Sequence, residues 1–152
     1  MCMALCASPV GNLKGNDMSR AELLANLLFS ETKDYEEAAA ILSVIGNRLK
    51  RPQRFGGTLE EVVFAPHQFS GVNSPEWEKA ATKNFTPEEE SIYKNMLQIS
   101  NAYLQGAVDD PTGGADHYVN LDIADPSWAK EYKKTGKIGA HTFFSELGDI
   151  EE

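Results

Sequence analysis

At 152 residues the chain has the length of one domain, at roughly 100–200 residues each. Its 41% hydrophobic and 24% charged content is ordinary for a globular domain and excludes a disordered chain, a collagen and a low-complexity linker. Fourteen Lys and Arg stand against 23 Asp and Glu, a formal charge of −9, so no nucleic-acid partner is expected, because tight binding there needs cations that neutralise phosphates.

No apolar run approaches the ~20 residues of a membrane span, and no membrane insertion is expected. Cys2 and Cys6 are too few for a four-ligand zinc site and have nothing further along the chain to pair with. The opening residues lack the basic start and sustained apolar stretch of a signal peptide. The expected organisation is a flexible leader over 1–17, one domain over 18–147 and an acidic tail over 148–152.

In chain order, Ser19-Arg20-Ala21-Glu22 is a capping box that opens a helix. Leu24, Leu27 and Leu28 follow at helical spacing, and the stripe ends at Glu31. A second helix is predicted from Tyr35 to Leu49, with Ala38, Ile41, Leu42, Ile45 and Leu49 on its buried face. Residues 52–57 read as a turn, and Thr58 caps a short helix through Phe64. Ser74-Pro75 and Thr86-Pro87 each place a capping residue before Pro at the first helical position. The second of these opens the longest helix, about 87–105, closed by Gly106. Asp109-Asp110-Pro111-Thr112-Gly113-Gly114 is a turn. Residues 115–120 and 138–144 are expected as two short strands, with a helical turn between them after Pro126. Two basic clusters (Arg48, Lys50, Arg51, Arg54; Lys130, Lys133, Lys134, Lys137) read as solvated surface, and Trp128 as core. The predicted class is α+β, mainly α, with a small antiparallel β element.

Chemistry is concentrated at few positions. A carboxylate at the end of an apolar stripe, as Glu31 is, meets the desolvation that lets a general acid hold its proton. The alternative is a helix-end side chain in solvent or paired with Arg20 or Lys33. His67, His117 and His141 with Asp116 are candidate metal ligands, but the helical H-x-x-x-H spacing is absent, and no metal is expected. Asp109, Asp110 and Asp116 are candidates for a second carboxylate, the first two being equally suited to turn chemistry. No phosphate-binding or dinucleotide-binding motif and no nucleophile elbow is present.

Four pieces, in this order and spacing, resemble the SleB-type cell-wall hydrolases, the family of spore cortex-lytic enzymes and related phage lysins. They are Ser30-Glu31 with the helix ending Gly46-Asn47-Arg48-Leu49; His67-Gln68-Phe69-Ser70; Asp110-Pro111-Thr112-Gly113-Gly114-Ala115 with Tyr118 and Asn120; and Ile138-Gly139-Ala140-His141-Thr142-Phe143. The similarity runs from about Ala21 to Phe144. It implies a lysozyme-like, lytic-transglycosylase-like fold and cleavage of the N-acetylmuramic acid–N-acetylglucosamine bond of peptidoglycan, without a cofactor. It also implies that Glu31 is the catalytic acid, matching the first Glu of the family's E-A-R-G-E-like stretch. This chain reads Glu31-Thr32-Lys33-Asp34-Tyr35-Glu36 there, shortened and without the Arg-Gly-Glu.

On that resemblance the expected substrate contacts are Gln68, Ser70, Thr112, Tyr118, Asn120 and His141. With no nucleophilic Asp in view, Glu31 serves as acid and then as base toward the muramic 6-hydroxyl, which is lytic transglycosylase chemistry. Three alternatives stay open: a hydrolytic muramidase with Asp116 as base, a non-catalytic peptidoglycan-binding or virion structural protein, and a histidine-metal amidase. The expected partners are peptidoglycan glycan strands and, for a protein released by lysis or carried in a phage particle, virion or tail proteins.

Overall fold

In a computed structural model the described residues are 19–65, 69, 71–72 and 74–147. Among the described residues six α-helices precede a small sheet: α1 (Arg20–Glu31), α2 (Tyr35–Leu49), α3 (Pro52–Phe55), α4 (Leu59–Val63), α5 (Pro75–Thr82) and α6 (Pro87–Leu104). Strands β1 (His117–Val119), β2 (Lys133–Ile138) and β3 (His141–Ser145) follow, with a 3₁₀ turn at Ser127–Lys130 before β2. No helix among the described residues is long and apolar enough to cross a membrane.

Helix α1 forms the centre. Both halves of the Ser19/Glu22 capping box are made, which satisfies helix-start donors that would otherwise lack partners. Leu23 through Phe29 are all buried, so the helix is enclosed on every side, as only an interior helix is. It packs against α5 and α6, and α2 packs on α6 and on the short helices. The one polar side chain in that run, Asn26, accepts a 2.7 Å hydrogen bond from the Tyr93 hydroxyl of α6, so its burial leaves that oxygen paired.

The sheet is antiparallel in the order β1-β3-β2. Its central strand carries Phe143 and Phe144 into the interior. A register shift falls between Lys134 and Gly136 of β2. The expected single strand over 138–144 is therefore a hairpin: Ile138 ends β2, Gly139 and Ala140 turn, and β3 begins at His141. Sequence periodicity misses β2 because Lys133-Lys134-Thr135-Gly136-Lys137 is a polar edge strand, where exposed lysines discourage further pairing. The expected turn at 52–57 contains one turn of helix instead, with Pro52 at its first position, where the missing N–H costs nothing.

The first basic cluster is only partly solvated surface: Lys50 and Arg54 are exposed, Arg51 is half-buried and Arg48 is buried. Arg48 is 3% exposed; its Nε donates to the Asp116 carbonyl at 2.7 Å and its guanidinium lies over Phe55 and Phe69. Burial, only partly offset by the charge of Asp116, lowers its pKa to about 10, so it stays charged at neutral pH. Arg51 bridges Asp116 and Glu146, both at 3.0 Å, and Arg54 forks the two oxygens of Glu146. These three arginines pin the C-terminal half of α2 and the helix after it to the sheet. The second cluster, Lys130, Lys133, Lys134 and Lys137, is exposed as expected.

Candidate active site

The end of α1, the start of α2 and the β2–β3 turn meet around a cavity of about 570 Å³. One wall is Ser30 to Asp34 with Glu37; the other is Asn120, Ile123, Ala140 and His141. Glu31 is the last residue of α1, so the stripe that enters the core delivers its carboxylate to the cleft.

Both Glu31 oxygens have donors. The Tyr118 hydroxyl donates to Oε1 at 2.9 Å and the Gly71 N–H donates to Oε2 at 2.6 Å. Burial, with the Glu31 charge and hydrogen bond next, pushes the Tyr118 phenol well above its usual range, so it keeps its proton and remains a donor. Tyr118 stands on β1 opposite Phe143, tilted against the rings of Phe69 and Phe143, which fixes its aim. Gly71 is demanded by space: a Cβ there would lie 2.6 Å from Glu31 Oε2 and would collide with Ser30. Lys33 does not pair with Glu31. It donates to the Phe29 carbonyl and to Glu76.

A second carboxylate borders the same cleft. Glu37, in the first turn of α2, is 6% exposed. Its Oε1 accepts from Thr32 Oγ1 at 2.6 Å, its Oε2 from the Ala140 N–H, and His141 Nδ1 stands 3.4 Å from Oε1. Desolvation raises its pKa, but the Thr32 and Ala140 hydrogen bonds and the charge of His141 outweigh it, and the net pKa is lowered. Gly139 has φ +59°, and a Cβ on it would run into this carboxylate, so the hairpin turn needs glycine for both conformation and space.

The structure brings Glu31, Tyr118, Asn120 and His141 together. Asn120 also accepts from the Asp122 N–H at 2.9 Å, which shapes the loop at the rim. Thr112 is not at the cleft. It is 2% exposed and is used within its turn, where its hydroxyl donates to Asp110 and accepts from the Ala115 N–H. Gln68, Ser70 and the candidate ligand His67 lie outside the described residues.

Asp116, the sequence's candidate base, is also elsewhere. It is 2% exposed, with its carboxylate committed to Arg51, His117 and the Glu146 N–H, and it does not line the cavity. Asp110 holds its own turn and Asn47 of α2. Trp128 packs against His117, Tyr132 and Phe144 but is only half-buried, so it covers the sheet from outside rather than taking the core place expected for it. Among the described residues no three His, Cys, Asp or Glu side chains gather as a metal site.

Comparison with known proteins bears on the family and the fold. The profile of a family described as cell wall hydrolase matches residues 32–144, beginning one residue after Glu31. A spore cortex-lytic enzyme of Halalkalibacterium halodurans is 28% identical over 124 residues, 80% of this chain and 33% of that protein. The chain thus spans about a third of the length of that relative. The catalytic domain of the germination-specific lytic transglycosylase SleB from Bacillus anthracis superposes with a TM-score of 0.62 at 27% identity, over 88% of this chain and 99% of the other. The catalytic domain of the Bacillus cereus SleB protein gives 0.61 at 28%, over 91% and 99%. The fold is lysozyme-like, mainly helical with a small antiparallel sheet.

Proposed function

The chain belongs to the cell wall hydrolase family, and from that premise we propose that it is a peptidoglycan-cleaving glycosidase in which Glu31 is the general acid and base. The observation that carries this reading is the two-donor seat of Glu31 at the rim of the cleft, with Tyr118 on one oxygen and Gly71 on the other. The residues taken to form the enzyme unit are 18–147, and its action is placed at the bacterial cell wall.

The substrate is a glycan strand, with the bond from N-acetylmuramic acid C1 to the N-acetylglucosamine oxygen lying over Glu31. Protonated Glu31 gives its proton to that bridging oxygen as the bond to C1 breaks. The carboxylate so formed meets donors already aimed at both oxygens, so their attraction grows as negative charge develops, which lowers the barrier. The same carboxylate then takes the proton of the muramic 6-hydroxyl as that oxygen bonds C1. The ring closes to the 1,6-anhydro sugar, Glu31 regains its proton, and no water is consumed.

This lytic transglycosylase course needs one carboxylate at the reacting bond. It is favoured over a muramidase using Asp116, because Asp116 is fully engaged away from the cleft. The likeness to a lytic transglycosylase catalytic domain supports the same choice. Of the residues expected to touch substrate, His141 and Asn120 border the cavity and are assigned to the sugar hydroxyl and N-acetyl groups. Tyr118 is assigned to Glu31. Mass spectrometry of fragments released from purified sacculi is the test. Ends in anhydro-muramic acid, one water lighter than hydrolysed ends, are expected; reducing muramic ends would contradict the ring closure.

A further inference from the structure

Glu37 is a buried carboxylate at the cleft that the chemistry above leaves unused, and it faces His141, one of the residues assigned to substrate. Glu37 is held from three directions. The Thr32 hydroxyl comes from the residue after Glu31, the Ala140 N–H comes from the β2–β3 turn, and His141 Nδ1 approaches Oε1 to 3.4 Å. His141 Nδ1 is sealed from solvent and makes no hydrogen bond among the described residues; Glu37 Oε1, 3.4 Å away, is the carboxylate oxygen it faces. The side chain as a whole keeps 12% exposure and lines the cavity. The exposed part of the ring is therefore the part away from Nδ1. The ring also stands edge-on to Tyr118, 5.1 Å between centroids, and Tyr118 holds Glu31.

An ionised carboxylate accepts hydrogen bonds and donates none, so a neutral imidazole facing one is favoured with its proton on the near nitrogen. We propose that Glu37 is a positioning residue that keeps the proton of His141 on Nδ1, so that Nε2 meets the substrate as a hydrogen-bond acceptor across the cleft from Glu31. The ligand groups this recognises are donors, a sugar hydroxyl or an N-acetyl amide N–H. Two features support the assignment. The lowered pKa of Glu37 keeps it ionised at neutral pH, and its ties to Thr32 and Ala140 hold it still while His141 engages substrate. The inference rests on the glycan-cleaving reading for its substrate, but the state of the ring is a property of the free protein.

The test is long-range ¹⁵N–¹H NMR of the histidine side chains of the free protein at pH ~8, above the ordinary histidine range, with His141→Gln used to assign the signal. The Nδ1–H tautomer is expected for His141, shifting toward Nε2–H in Glu37→Gln, whose amide can donate to Nδ1. On glycan strands, Glu37→Gln is expected to lower kcat about tenfold, with products unchanged in kind. His141→Gln, which can offer an acceptor near the Nε2 place, should retain more activity than His141→Asn. An Nε2–H tautomer in the wild type, no change of tautomer in Glu37→Gln, or full kcat in that variant would overturn the proposal. If Glu37→Gln does not fold, the wild-type tautomer and the Gln/Asn comparison decide it. A wild type that releases no fragments while showing the Nδ1–H tautomer would count against the glycan-cleaving reading and leave the ring assignment standing.

Discussion

Glu31 owes its place to one helical repeat and its setting to two residues far from it in sequence. Tyr118 supplies a hydroxyl that burial keeps protonated, and Gly71 supplies a backbone N–H that only a residue without Cβ can bring so close. Gly71→Ala is therefore expected to push the carboxylate out of line while leaving the core intact. A displacement near 1 Å can cost about 100-fold in rate, so kcat on glycan strands should fall by that order with little change in melting temperature. Unchanged kcat would show that the Gly71 contact is incidental. Glu31 is legible in the sequence because an apolar stripe ends in a carboxylate. Glu37 is not, because acidic residues in the first turn of a helix are already explained by the helix dipole. Nothing in the sequence marks the Gly71 N–H, since a donor of the main chain has no residue signature.

Among the elements, the helices follow their caps closely. Ser19, Thr58, Ser74 and Thr86 each accept from the backbone N–H three residues on, so the start of each helix can be read from the chain. The sheet is harder to read. Strand β3 carries apolar residues inward, but β2 is held by backbone pairing to β3 and carries lysines outward, leaving no alternation to detect. Arg48 illustrates the same limit: a cation in a basic run reads as surface until the fold encloses it between Phe55, Phe69 and the Asp116 carbonyl. Arg48→Ala removes the buried tie between α2 and β1 and leaves a void. The expected loss is about 3 kcal/mol, the scale for breaking a buried charged contact, measured by denaturant unfolding. A loss below about 0.5 kcal/mol, the range of ordinary surface substitutions, would contradict the role given to Arg48.

The whole molecule joins a helical core to a small sheet through a few hydrogen-bonded carboxylates, and that sets its response to acid. Glu37, Asp110, Asp116 and Glu146 all have lowered pKa values, because hydrogen bonds and nearby cations outweigh the desolvation that opposes them. A depressed carboxylate contributes stability that is complete above its unfolded pKa, about 4, and is lost as pH falls through the folded value. Unfolding free energy should therefore hold steady from neutrality to about pH 5 and fall steeply below 4. Arg51→Met, which removes the cation shared by Asp116 and Glu146, should make that fall shallower. Equal acid sensitivity in the two proteins would remove this network from the explanation. The central claim is that this fold presents one carboxylate to cleave a glycan strand, and the most direct measurement compares wild type with Glu31→Gln on purified sacculi. Loss of a general acid costs about 10²–10⁴-fold, so the variant should release fragments at least about 100-fold more slowly at an unchanged melting temperature. Release by Glu31→Gln at the wild-type rate would contradict the account.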